Sequence, residues 1–280
     1  MMQDLRQHAN EQRWNLVYWD RRRRHRAALP ALSAADAALV RRIEGEGGVV
    51  TSLEDLAIPG TAAMLAAGDA LQRAMAGRAP VKGGFGVQAA AEEIGRYPDL
   101  IRWGLDERLL AIAENYIGLP IVYRGLTVRR DIVGGDKVET RLLHRDNEDN
   151  RILKIIVYLN DVDENGGPFE FIPRPLTPAS WRVPHDGSRA SDAAMARLVP
   201  PARWRCCTGK RGTAVFVDTC RVYHRGRIAA TADRLALFFC YNSARPLSPQ
   251  WCAPLFDRAA FIAAVPALSP AQRAAITPRY

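Results

Sequence analysis

The sequence predicts a mainly antiparallel β core with flanking helices. From residue 121 the chain breaks into short runs rich in β-branched and aromatic residues: IVYRGLTVRRDIV, ETRLLH, RILKIIVYL, PFEFI, GTAVFV and RLALFFCYN. Turn-forming GGD, DNEDN and DENGGP separate them, and no helical segment intervenes. Strands this short and this connected build a sandwich or a barrel. Outside 121–244 the texture is Ala- and Arg-rich with helical patterning.

The elements follow in chain order. Residues 1–30 are polar and basic, with RRRRHR at 21–26. A solvated arm or helix face is expected there rather than a nucleic-acid site, because no aromatic stacking pattern accompanies the charge. SAADAALVRRIEGE (33–46) reads as a helix with Ser33 as N-cap, and SLED at 52–55 opens a short second one. Residues 60–77 are an Ala-rich helix, and GRAPVKGGFG (77–86) is a loop. Residues 88–117 return to a helical pattern that stops at Gly118 and Pro120. Within the core, 176–205 is irregular and Pro-rich, long enough to be a functional loop or a lid. After Pro246 the tail turns helical, with Ser269 and Pro270 as cap and first position. The expected organisation is one domain: 1–120 helical, 121–244 β core, 245–280 helical tail.

Composition narrows the function classes. The 280 residues (31.0 kDa) are 48% hydrophobic and 25% charged, which excludes a disordered chain, a collagen-like fibre and a coiled coil. No apolar run approaches the roughly 18 residues of a membrane span, and the N-terminus lacks the pattern of a secretory signal. The net charge of +9 follows from Arg-rich composition. Neither nucleic acid nor membrane is expected as a partner. The five cysteines are odd in number, two are adjacent, and none form a C-x-x-C pair. That is a poor disulfide framework and a poor zinc site, and it fits a reducing cytoplasm.

The chemistry begins at LLHRDNED. His144 and Asp146, two apart in an extended chain, project to one face. His224, in FVDTCRVYHRGR, is a second imidazole in a β-like context, followed by Gly226, which permits close approach. Two histidines and one carboxylate form the facial triad of non-haem iron(II) sites and leave three positions open. Zinc accepts the same ligands but more often takes three histidines or thiolates. A hairpin centred near Ala229 places Arg234 opposite His224, on the same face. Its guanidinium can hold a distal carboxylate by two parallel hydrogen bonds. A dicarboxylate that chelates iron at one end and meets an arginine at the other is 2-oxoglutarate.

HRDNEDNRILKIIVYLNDVDENGGPFEFIP followed by VDTCRVYHRGRIAATADRLALFFCYN resembles the phytanoyl-CoA dioxygenase-like branch of the iron(II)/2-oxoglutarate-dependent oxygenases. The resemblance covers roughly 120–244 and touches LDERLLAIAENYIGLP before it. It implies a double-stranded β-helix (a jelly roll, cupin-like), with His144, Asp146 and His224 as iron ligands and Arg234 as co-substrate anchor. It also implies Fe(II), 2-oxoglutarate and O2 as the reacting set. The expected reaction is oxidation, above all hydroxylation, of an unactivated carbon in a small molecule, with release of succinate and CO2. A specialised-metabolism substrate fits this branch. Two departures stand out: Pro173-Arg174-Pro175-Leu176 replaces the family's Pro-Gly-Ser-His, and Arg225, Gly226 and Arg227 stand where a Ser or Thr often assists the co-substrate. Asp146 is retained, so chlorination, which needs a small residue there, is not expected.

Further positions follow from strand phase. Lys154, Ile156 and Tyr158 share one face of 152–159 and should line the barrel, while Leu153, Ile155, Val157 and Leu159 pack against helices. Lys154 is then a candidate carboxylate contact or an exposed strand-end lysine, and Tyr158 a co-substrate donor or a core tyrosine. Arg129, Arg130 and Arg141 flank the predicted mouth, where they would favour an anionic or carrier-bound substrate or form a solvated face. His8 and His25 read as solvated and His185 as a loop residue. A catalytically silent jelly-roll binding module and a zinc hydrolase on the same ligands are the rival readings. Intact His144, Asp146, His224 and Arg234 argue against the first. The lack of an adjacent general base, and an unexplained Arg234, argue against the second.

Overall fold

The structure, a computed structural model, describes residues 2–80, 84–185, 189–265 and 267–277, with side chains from residue 14 onward. It opens with α1 (Met2–His25) and α2 (Ala34–Glu46), then β1 (Gly48–Ser52), α3 (Leu53–Leu56) and α4 (Thr61–Ala74). β2 (Gly86–Gln88), α5 (Ala91–Gly95), α6 (Pro98–Gly104) and α7 (Glu107–Ile117) lead into the core. The core continues with β3 (Ile121–Asp131), β4 (Leu143–His144), β5 (Ile152–Tyr158), β6 (Phe169–Phe171) and β7 (Arg189–Ala190). α8 (Asp192–Ala196), β8 (Arg205–Cys207), β9 (Thr213–Val217), β10 (His224–Gly226) and β11 (Arg234–Ser243) complete it, before α9 (Arg258–Ala264) and α10 (Pro270–Ile276).

Eleven strands form two antiparallel sheets among the described residues. The larger has the order β1-β9-β5-β11-β3-β2 and the smaller β7-β4-β10-β6-β8. Sequence neighbours such as β4 and β5, or β10 and β11, fall in opposite sheets. The chain therefore winds back and forth between two layers, which is the jelly roll. Strand β5 shows how the pattern fixes the layers. Leu153, Ile155, Val157 and Leu159 join the helices in the main core, with Leu109, Ile112 and Tyr116 of α7 among its members. Ile156 and Tyr158 join the cluster between the sheets, with Phe169, Phe171, Val215 and Val217. Fully burying each large apolar side chain contributes on the order of 1.5–3 kcal/mol.

Several local expectations hold and several need correction. Ser33 caps α2 by accepting from Asp36 N, Ser52 caps α3 by accepting from Asp55 N, and Ser269 caps α10 with Pro270 in its first turn. The helical stretch expected over 88–117 is instead the end of β2 and three short helices. Pro98, at the start of α6, cannot continue a helix from α5, and Asp106 caps α7 by accepting from Arg108 N. The loop expected over 77–86 ends in β2, which pairs with β3 as the sheet's edge, while residues 81–83 of it lie outside the described residues. β1, which lies within the part expected to be helical, pairs with β9 from Gly48 to Ser52. Its five residues are wedged between two capped helices and are too short for a period of two to stand out.

His25 is not solvated: its Nε2 lies 2.7 Å from Glu114 Oε1 and ties the end of α1 to α7. Within the basic run, Arg22 meets Glu44 at 3.5 Å, whereas Arg24 is an exposed partner of Asp20. The side chain of His8 lies outside the described residues. The irregular segment 176–205 contains β7 and α8, and β7 pairs with β4. Val183, Ala190, Met195 and Val199 from this segment form a third cluster with Leu143, Ile172 and Tyr223. All five cysteines are free thiols.

Candidate metal centre

Strand register brings the two imidazoles together. β4 and β10 are adjacent in the smaller sheet, and His144 pairs directly with His224. Directly opposed residues share a face, and the ring centroids stand 4.2 Å apart. Each ring is oriented by a carbonyl two residues before it. His144 Nδ1 lies 2.8 Å from Leu142 O, and His224 Nδ1 lies 3.2 Å from Val222 O. A carbonyl can only accept, so each Nδ1 carries the proton and each Nε2 presents a lone pair. This is the outer-shell arrangement that orients histidines at metal sites.

Asp146 lies two residues past the end of β4 and is anchored by its N–H, which donates to Thr219 O at 2.9 Å. Its Oδ1 faces His144 Nε2 at 3.6 Å and His224 Nε2 at 3.8 Å. The three ligand atoms all lie within 4.8 Å of one another, and among the described residues this is the one group with metal-holding geometry. Ligands bound at about 2.1 Å in neighbouring positions stand roughly 3 Å apart, so slight inward movement of these side chains accommodates an ion. Protonation is suited to metal binding as well. Burial pushes both imidazoles down, His224 to about 3 with His144 beside it adding to the effect. Burial pushes the Asp146 carboxyl up, but the Lys154 ammonium beside it outweighs burial and holds the group below the ordinary carboxylate range. Two neutral imidazoles and an anionic carboxylate are the forms a divalent cation requires.

These groups line a cavity of about 110 Å³, together with Arg129, Thr140, Lys154, Thr219, Gly226 and Arg234. That is well below the roughly 300 Å³ at which pockets for drug-sized ligands begin. It admits a small acid rather than a bulky molecule. The hydroxyls of Thr140 and Thr219 are buried there without a hydrogen-bond partner. Neither threonine was singled out in the sequence, and nothing in a lone threonine marks it beforehand.

Arg234 reaches this cavity by a route different from the expected hairpin. It opens β11 in the larger sheet, where it pairs with Asp131, while β10 belongs to the smaller sheet. Residues 227–233 therefore cross between layers instead of turning back. The layers face one another, so the two side chains still line one cavity. Arg234 is 1% exposed. Its Nε donates to Asp131 Oδ2 at 3.0 Å, its Nη2 donates to the same oxygen, and its Nη1 donates to Gly167 O at 2.7 Å. A Cβ on Gly226 would lie 2.8 Å from Arg234 Nη2, so the guanidinium is what approaches this glycine.

The remaining predicted positions are distributed as follows. Lys154 lines the cavity, and the anion it meets is Asp146, whose Oδ2 accepts from Nζ at 2.6 Å. Tyr158 does not line it. Its hydroxyl donates to Cys207 O at 2.8 Å and accepts from Phe169 N at 3.0 Å, close behind Arg234. Arg129 lines the cavity and donates through Nε to Asp131 Oδ1 at 2.5 Å. Arg130, one residue on, points away and bonds Arg78 O. Arg141 is fully buried rather than at the mouth, clamping the 132–136 loop through Ile132 O, Gly134 O and Asp136 O. His185, in its loop, lies 2.9 Å from the hydroxyl of Tyr223. The pairing of Asp131 with both Arg129 and Arg234 was missed. The R-x-D spacing at 129–131 was visible, but its partner depends on β3–β11 register.

No protein-family model matches this chain, and comparison with curated proteins found no match. Solved structures do share its fold. The epimerase SnoN, in complex with Fe3+, alpha ketoglutarate and nogalamycin RO, is 19% identical with a TM-score of 0.53, over 75% of this chain and 84% of that one. EctD from S. alaskensis, with 2-oxoglutarate and 5-hydroxyectoine, is 19% identical with a TM-score of 0.53, over 81% and 84%. The non-heme alpha ketoglutarate dependent carbocyclase SnoK from nogalamycin biosynthesis is 19% identical with a TM-score of 0.53, over 86% and 92%. Identities this low establish the jelly-roll fold. Among the described residues no helix is long and apolar enough to cross a membrane.

Proposed function

We propose that the protein is an iron(II)/2-oxoglutarate-dependent oxygenase of a small molecule. The observation that carries this reading is one small cavity with two kinds of wall. At one place two imidazole Nε2 atoms and a carboxylate oxygen converge, and at another stand Arg129 and Arg234. The donor set fits a ferrous ion, being two neutral nitrogens and one anionic oxygen on a single face. His144, Asp146 and His224 hold the ion. Iron and 2-oxoglutarate, once bound, supply the oxidising chemistry, in which O2 and the oxo acid yield succinate and CO2 while a substrate C–H becomes C–OH. SnoN, EctD and SnoK, which share the fold, carry or depend on the same oxo acid.

Every other role falls to the chain itself. Arg234, with Arg129, anchors the distal carboxylate of the co-substrate, and Asp131 sets the angle of both guanidiniums by bridging them. Tyr158 lies beside Arg234 with its hydroxyl engaged by Cys207 O and Phe169 N, so it packs behind the anchor rather than touching the co-substrate. The free hydroxyls of Thr140 and Thr219 donate to the co-substrate's oxygens, the task given elsewhere to a Ser or Thr after the distal histidine. Phe169, Phe238 and Ile156 keep water from the cavity. Because the cavity has room for little beyond the co-substrate, the substrate's bulk sits at the mouth and presents one carbon inward. Hydroxylation is the expected outcome at that carbon.

Anaerobic addition of Fe(II) and 2-oxoglutarate tests the reading. A visible charge-transfer band should appear, and air plus a substrate should release succinate. Absence of the band, with tight Zn(II) binding and hydrolytic activity, would favour a zinc enzyme. Oxo-acid binding without any turnover across a substrate screen would favour a silent binding module.

A further inference from the structure

Asp146 divides the work of its two oxygens. Oδ1 faces both histidine Nε2 atoms, at 3.6 and 3.8 Å, while Oδ2 accepts from Lys154 Nζ at 2.6 Å. The lysine is held from two sides. Its backbone lies in β5, the strand between β9 and β11, paired with Val217 and Cys240. Glu148 Oε1 stands 3.6 Å from its Nζ, and Glu148 is itself 3.5 Å from Arg124. The ammonium is thus aimed at one carboxylate oxygen by a rigid strand and a second acid.

We propose that Lys154 is a positioning residue for the metal: it reserves Oδ2, so that Asp146 binds the ion through Oδ1 alone. This rests on the reading of His144, Asp146 and His224 as ligands. A carboxylate free at both oxygens can take two coordination positions instead of one. A six-coordinate ion with two histidines and a one-oxygen carboxylate keeps three positions, enough for a chelating oxo acid and dioxygen. With a two-oxygen carboxylate only two remain, and the oxo acid fills both. The same ammonium repels the incoming cation, so the site holds its metal less tightly than its ligands alone would.

The test uses Co(II), whose visible spectrum reports coordination number and whose affinity can be titrated against a competing chelator without oxo acid or turnover. Lys154→Met should bind Co(II) roughly tenfold or more tightly, with an altered visible spectrum. Lys154→Gln, which keeps an N–H for Oδ2 but no charge, should bind more tightly with a spectrum close to the wild type. Should the methionine variant fail to fold, Lys154→Leu, which likewise leaves Oδ2 without a donor, is read in the same way. Wild-type affinity and a wild-type spectrum in Lys154→Met would overturn the proposal. Failure of the underlying reading looks different: Asp146→Ala would then bind Co(II) as well as the wild-type protein does.

Discussion

His144 and His224, eighty positions apart in the chain, face each other as a direct cross-strand pair with ring centroids 4.2 Å apart. Each carries its proton on Nδ1, bonded to the carbonyl two residues earlier. Replacing either with alanine removes a ligand and opens only a small gap. His224→Ala should lower Co(II) or Fe(II) affinity by at least about 100-fold, the upper end of what losing only an outer-shell partner of a ligand costs. Metal titration of the folded variant checks this, and near-wild-type affinity would remove His224 from the centre.

The depressed imidazoles give a distinctive pH dependence. His224 titrates at about 3 in the folded protein and near 6.5 when unfolded. Between these values the unfolded chain binds more protons, so stability is fully present above about 6.5 and falls as pH drops toward 3. Asp146, also depressed, acts in the same direction at lower pH, since its carboxylate must stay ionised. Denaturant melts of the metal-free protein should show a midpoint falling steadily from pH 7 to 4. Metal affinity over pH 8 to 5 should stay nearly flat, unlike that of exposed histidines.

Arg234 and Asp131 form a buried pair across β11 and β3. Arg234→Met should raise the dissociation constant for 2-oxoglutarate by about 10- to 100-fold, as expected for a lost charged hydrogen bond of roughly 1.5–3 kcal/mol. Asp131→Asn should lose stability as well, by roughly 3–5 kcal/mol, because it leaves a buried guanidinium uncompensated. Calorimetry with the oxo acid, beside thermal melts, separates the two effects.

Gly226 provides a finer probe. A Cβ there would sit 2.8 Å from Arg234 Nη2, and that guanidinium is buried and bonded on three nitrogens. Gly226→Ala should displace it and weaken 2-oxoglutarate binding several-fold, with metal affinity unchanged. If the oxo acid binds as before, Arg234 is not the anchor.

Thr219 carries a buried hydroxyl without a partner, in the cavity beside Asp146. An unsatisfied buried polar group costs about 1–3 kcal/mol. Thr219→Val keeps the shape and removes that cost, so the metal-free protein should melt at a higher temperature. The same change should weaken oxo-acid binding, because the hydroxyl is the donor awaiting it. A rise in both stability and oxo-acid affinity would contradict the assigned role.

Strand phase explains what could be read early. Lys154, Ile156 and Tyr158 on one face of β5, and Leu153, Ile155 and Val157 on the other, follow from a period of two that the seven residues of this strand are long enough to display. The caps at Ser33, Ser52 and Ser269 are equally local, each an oxygen accepting from an N–H three residues on. β1 and β2 escaped notice because three to five residues carry too little pattern, and 88–117 looked continuous because apolar spacing survives across Pro98 and Asp106.

The chain alone determined the residue types that can hold a cation and a diacid, and the side of each strand on which they sit, because both are properties of neighbours within a few positions. Only the tertiary structure decided which of them meet. The packing of two layers set His144 against His224, turned Lys154 onto Asp146, and brought Arg234 to the cavity from the opposite sheet with Asp131 on its guanidinium. Register between strands distant in sequence is fixed by the fit of whole sheets and their helices, and no local run of residues contains it.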